Sequence, residues 1–121
     1  MDMSTSLEGP VIELVAQRLK VLADATRLRL LNELRRGERS VLDLAEAAGT
    51  GQPNASRHLA LLHRAGLVAS RQQGRQVFYR VVDPFIEPIC DAICGSLRNH
   101  IEQQQRLAAS MPRTRTGRKA S

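Results

Sequence analysis

The sequence predicts a mainly helical chain with one small β-hairpin, in the order α-α-α-α-β-β-α. Three observations predict it. Apolar residues recur at helical spacing through four segments between Pro10 and Ala65. The period then changes to alternation between Leu67 and Val82, around a central glycine. Helical spacing returns after Asp83-Pro84 and continues to about Leu107.

The first helix starts at Pro10, a residue suited to a first helical turn. Ile12, Val15, Ala16, Leu19 and Leu22 form its apolar stripe, and Glu13, Gln17, Arg18 and Lys20 its polar face. The second helix spans about Asp24 to Arg36, with Asp24 as N-cap, Leu28, Leu31 and Leu34 facing inward with Leu30 alongside, and Gly37 as its stop. Ser40 is placed to cap a third, short helix in which Val41, Leu44 and Ala48 face inward and which Gly49 ends. After Gly49-Thr50-Gly51 a fourth helix runs from about Gln52 to Ala65, with Ala55, Leu59 and Leu62 on its inner face. Two helices joined by a short glycine-containing turn form a helix-turn-helix pattern. The strands Leu67–Gln72 and Val77–Val82, joined through Gln73-Gly74-Arg75, add a wing directly behind it.

Asp83-Pro84 is positioned to cap the last helix, whose stripe is Ile86, Ile89, Ile93, Leu97 and Ile101. That stripe is too long for a small domain to cover alone, and the first helix also has an apolar face with no obvious place in the central core. Both observations point to a homodimer through the first and last helices. The expected organisation is a flexible N-terminus (1–9), a winged-helix DNA-binding and dimerisation domain (10–109), and a disordered basic tail (110–121).

The chain has 121 residues and a net charge of +6, with a pI of about 10.6. A polyanionic partner is the expectation from that charge. Its distribution favours duplex nucleic acid. Between Gly51 and Val82 no acidic residue occurs, while Arg57, Arg64, Arg71, Arg75 and Arg80 all fall there. Phe78, Tyr79 and Phe85 are the only aromatics, too few for the stacking platforms that bind single strands. Two cysteines cannot build a disulfide scaffold, and neither a secretory leader nor an apolar run of membrane-spanning length is readable. The cytoplasm is therefore the expected location, with no membrane partner.

The major groove of B-DNA admits one α-helix, whose N-terminal side chains read base edges. Gln52, Asn54, Ser56, Arg57 and His58 lie in the first turns of the fourth helix. Gln and Asn can pair bidentately with adenine, and Arg with guanine. Arg71, Arg75 and Tyr79 on the wing are expected to touch backbone or minor groove and so to position the protein.

Three stretches carry a resemblance to the ArsR/SmtB family of bacterial transcriptional regulators. Residues 22–31 (LADATRLRLL) are similar to the family's LADPTRLRIL segment. Residues 52–62 (QPNASRHLALL), followed by Ala65-Gly66-Leu67-Val68, are similar to its recognition helix. Residues 74–81 (GRQVFYRV) are similar to its wing. The similarity spans about residues 11 to 100. It implies a homodimer that represses from double-stranded operator DNA and lets go when an effector arrives. The chain departs from the family at Pro53, where a small hydroxyl residue is common, and at both of its well-known metal sites. Ser40–Leu44 holds no cysteine pair, and of the zinc-site positions on the last helix only Asp83 could ligate.

Cys90 and Cys94 lie four apart and so share one side of the last helix. Two readings stand. They are small buried residues in the dimer seam, or a thiol pair that senses As(III), another soft thiophilic metal such as Zn(II) or Cu(I), or an oxidant, with further ligands from elsewhere. A disulfide between them is disfavoured, because the helix holds their backbones near the upper limit for bridging. A winged helix serving only as a protein-interaction module is the alternative class, and it has no need of an acid-free arginine face. Catalysis is not expected, since no phosphate loop or nucleophile motif is present.

Overall fold

A computed structural model describes residues 8–112. Two compact units divide between Pro84 and Phe85. The first contains α1 (Gly9–Leu22), α2 (Ala25–Leu34), β1 (Arg39–Ser40), α3 (Val41–Ala48), α4 (Gln52–Arg64), β2 (Val68–Gln73) and β3 (Gln76–Val81). The second is α5 (Ile86–Ser110). The segments 1–9 and 110–121 fall mostly outside the described residues; Gly9 is the first residue of α1 and Ser110 the last of α5.

The caps read from the sequence form as expected. The Asp24 carboxylate accepts the Arg27 backbone N–H at 3.0 Å, and the Ser40 hydroxyl accepts that of Asp43 at 3.1 Å. Each satisfies an end donor that the helix itself cannot, worth about 1 kcal/mol. At the end of α3, Gly49 takes a left-handed conformation (φ 69°), and Thr50 donates its backbone N–H back to the Ala45 carbonyl at 3.0 Å. A left-handed residue followed by such a bond reverses the chain without a steric penalty when that residue is glycine. This reversal sets α4 against α3 as a helix-turn-helix.

The core of this unit is aliphatic. Leu30, Leu44, Leu59, Leu62 and Leu67 are fully buried, with Leu31, Leu34, Val41, Ala45, Ala55 and Val68 around them. Leu28 was expected in the inner stripe of α2 but stands 42% exposed. At about 100° per residue it lies about 110° from the centre of the arc that Leu30, Leu31 and Leu34 define, which turns it to the rim.

The expected hairpin is the larger part of a three-stranded antiparallel sheet in the order β1-β3-β2. Gln73 pairs with Gln76, leaving Gly74-Arg75 as a two-residue loop with Gly74 at φ 63°, the backbone that tight hairpins favour. The additional strand, β1, pairs Arg39 with Tyr79 and Ser40 with Phe78. Two polar residues carry no periodic signal, so β1 could not be anticipated.

The Asp83 carboxylate takes the Arg18 guanidinium at 3.2 Å. Phe85 stands at the N-cap of α5 and its own side chain supplies no cap. Both terminal helices expose apolar side chains within their own units: Ile12, Val15 and Leu19 on α1, and Ile93, Leu97, Ile101 and Leu107 on α5. No helix among the described residues is long and apolar enough to cross a membrane.

Candidate nucleic-acid interface

α4 is amphipathic, and its two faces have different work. Ala55, Leu59 and Leu62 are buried, which fixes how the helix is rolled. That roll leaves Gln52, Ser56 and Arg57 exposed and Asn54 half-buried at the opposite face. Gly51 at the N-cap supplies no side-chain cap, so the first backbone N–H groups keep their donor capacity outward. Pro53 has no N–H to lose there. Asn54 is held in a relay: its Nδ2 donates to the Thr50 Oγ1 at 2.8 Å, and its Oδ1 accepts from Arg57 Nη2 at 3.0 Å. The relay steadies the amide and keeps Arg57 leaning toward the N-terminal end of α4 with its other donors free to bond elsewhere.

His58 is placed differently from its neighbours. Its side chain is 18% exposed and faces α2, with Nδ1 3.0 Å from Arg27 Nη1 and 3.9 Å from the Asp24 carboxylate. Since a guanidinium can only donate, Nδ1 accepts in this contact and the ring carries its proton on Nε2. The same guanidinium donates from Nε to the Val21 carbonyl and from Nη2 to that of Lys20. Arg27 therefore ties the end of α1 and the start of α2 to the second turn of α4. The Asp24 carboxyl is held below its usual value, chiefly by the Arg27 backbone N–H it accepts, with the charge of Arg27 adding to the effect.

On the wing, Arg75 occupies the exposed loop and makes no ion pair among the described residues. Tyr79 is half-buried in β3 and meets the His63 ring edge-on, with centroids 6.4 Å apart; burial raises its phenol above the usual value. It braces the wing against the C-terminal half of α4. Arg71 is held by a carboxylate from outside the acid-free stretch. Its Nε lies 2.9 Å from both oxygens of Glu38 and its Nη2 2.7 Å from one of them, while its guanidinium sits 4.7 Å from the centre of the Phe78 ring. Those hydrogen bonds lower the Glu38 carboxyl and raise the Arg71 guanidinium. Since the carboxyl is depressed on folding, the pair's contribution is present above the ordinary carboxylate range and lost as pH falls through the lowered value.

Arg27, Glu38 and Thr50 were not legible as site residues. Only Thr50 left a trace, lying four residues before Asn54. In the second unit, Cys90 is half-buried and Cys94 exposed, and neither is in a disulfide. Arg98 Nη2 lies 3.6 Å from Cys94 Sγ. No cluster of three or more His, Cys, Asp or Glu side chains among the described residues could hold a metal within one chain.

Residues 24–70 match the family described as bacterial regulatory protein, arsR family. The chain is 36% identical over 99 residues to the HTH-type transcriptional regulator NmtR of Mycobacterium tuberculosis, covering 81% of this chain and 82% of that one. The chain belongs to the ArsR family. It is also 52% identical over 68 residues to the arsenical resistance operon repressor of Escherichia coli, covering 54% of this chain; it spans 56% of that protein's length. A homodimeric winged helix-turn-helix DNA-binding domain from Mycobacterium bovis matches with a TM-score of 0.70 and 29% identity, covering 85% of this chain and 95% of that one. For an ArsR-family chain, the described geometry supplies the expected winged helix-turn-helix, and the family consists of regulators rather than enzymes.

Proposed function

We propose that this ArsR-family chain is a sequence-specific repressor that binds double-stranded operator DNA as a homodimer in the bacterial cytoplasm. The observation that carries the reading is the outward N-terminal half of α4, where Gln52, Asn54, Ser56 and Arg57 converge on a face with no acidic side chain of its own. Arg75 adds a cation at the wing loop. Residues 10–109 form the DNA-binding and dimerisation domain in this reading, with 1–9 and 110–121 as extensions. A second copy covers the apolar faces of α1 and α5. The homodimeric M. bovis domain supports this assembly, as does the exposure of Ile12, Leu19, Ile93, Leu97 and Ile101. His58 and Tyr79 act from behind the interface by fixing the pose of α4 and the wing.

The effector in this reading is a thiophilic species such as As(III) at Cys90 and Cys94, completed by ligands from the second copy. Their shared face of α5 and the exposure of Cys94 support it. The resistance repressor of E. coli is named for arsenicals, which makes arsenite the first compound to try.

Duplex-binding titrations test both parts. Against an operator selected from random-sequence duplexes, the logarithm of the affinity is expected to fall linearly with the logarithm of salt concentration. Affinity indifferent to salt would favour the protein-interaction alternative. Arsenite is expected to release the wild type but not the Cys90→Ser/Cys94→Ser variant. Equal release from both would remove the cysteines from the switch.

A further inference from the structure

We propose that Glu38 acts as a built-in phosphate surrogate: it occupies Arg71 in the free protein, so that Arg71 reaches a DNA phosphate only by exchanging one oxyanion for another. This rests on the DNA-binding reading above and adds to it a residue that tunes non-specific affinity.

Glu38 lies in the loop before β1, and Arg71 on β2. In the strand order β1-β3-β2 the two flank β3 and meet across it, over the Phe78 ring. The contact has the fork geometry that guanidinium groups also use for phosphate, with three N–O separations of 2.7 to 2.9 Å. Gln73 accepts a further hydrogen bond from Nη1. The pair is not sealed. The Arg71 side chain is 46% exposed and that of Glu38 28%, and exposed ion pairs are weak enough for a competing anion to displace them. Arg57, Arg64, Arg75 and Arg80, the other arginines between Gly51 and Val82, contact no carboxylate among the described residues. Arg80 is close enough for its charge to be felt at Glu38, but it makes no ion pair with it. Arg71 is thus the one cation of that stretch whose charge is cancelled before DNA arrives.

The consequence is electrostatic. A free arginine that docks on a phosphate displaces condensed counterions and steepens the salt dependence by about 0.9. Arg71 exchanging Glu38 for phosphate adds no net charge to the interface and leaves that slope unchanged. Removing the charge of Glu38 turns Arg71 into an ordinary phosphate contact. Affinity for any duplex then rises, and selectivity for the operator falls.

The test compares wild type, E38Q, R71Q and the double variant on a duplex of unrelated sequence across a salt series, with circular dichroism confirming the fold of each. Wild type and R71Q are expected to share one slope. E38Q is expected to be steeper by about 0.9 per protomer, and R71Q added to E38Q to restore the wild-type slope. An unchanged slope in E38Q overturns the proposal. So does a steepening that survives in the double variant, which carries the wild type's net charge; it would assign the effect to Arg80. A flatter slope in R71Q alone also overturns it, and this arm stands even if E38Q folds poorly. A wild type that binds no duplex at any salt concentration would refute the DNA-binding reading itself, a distinct result.

Discussion

Replacing Leu59 with alanine is expected to destabilise the protein by about 2–5 kcal/mol, a large share of the roughly 5–15 kcal/mol that holds a domain of ordinary stability together. Leu59 is fully buried in the middle of α4, flanked on the same face by Ala55 and Leu62. Truncation removes apolar contact and leaves a cavity that the surrounding leucines can only partly close. The same residue fixes the roll of α4, so duplex affinity should fall further than the loss of folded protein accounts for. Urea unfolding at one protomer concentration checks the first part; fixing the concentration matters because assembly adds to apparent stability. A change below about 1 kcal/mol would mean that Leu59 lies outside a close-packed core.

Arg57→Ala is expected to weaken operator binding by about 1–3 kcal/mol per half-site, and by roughly twice that for a two-fold symmetric dimer carrying the change in both copies. Two losses combine. The guanidinium no longer reaches a base edge, and Asn54 loses the donor that bonds its Oδ1, leaving the amide held only through Thr50. Arg57→Lys separates charge from geometry, because lysine keeps the cation but lacks the planar fork. Its salt slope should match the wild type while its preference for the operator over unrelated duplex shrinks. Competition titrations at one salt concentration measure both. Unchanged selectivity in the alanine variant would take Arg57 out of base recognition.

Much of the fold was legible because its signals are local. Asp24 and Ser40 cap the helices they were expected to cap, and Gly49 and Gly74 turn the chain where expected. The inner face of α4 followed from the spacing of Ala55, Leu59 and Leu62. The less legible features depend on residues far apart in sequence. His58 was grouped with the groove-facing residues, yet Arg27, 31 positions away, draws it inward. Arg71 was expected to touch the DNA backbone or minor groove, and nothing in the sequence signalled that Glu38, 33 positions away, pairs with it. The second pairing exists because the short strand β1 sets the loop containing Glu38 beside the sheet, and β1 left no periodic trace. The Asp83 carboxylate, read only from its place before a helix, also meets a guanidinium 65 positions away. Periodicity reports which face of an element is buried, but not which distant side chain it meets.

The first turns of α4 are expected to enter the major groove. Methylation interference on a selected operator tests this most directly, since guanine N7 lies in the major groove and adenine N3 in the minor. Guanine N7 methylation within each half-site is expected to abolish binding, at positions about one helical turn apart, with Arg57→Ala losing that sensitivity at one guanine per half-site. Binding that tolerates every N7 methyl group and is blocked only by methylation at adenine N3 would contradict the account.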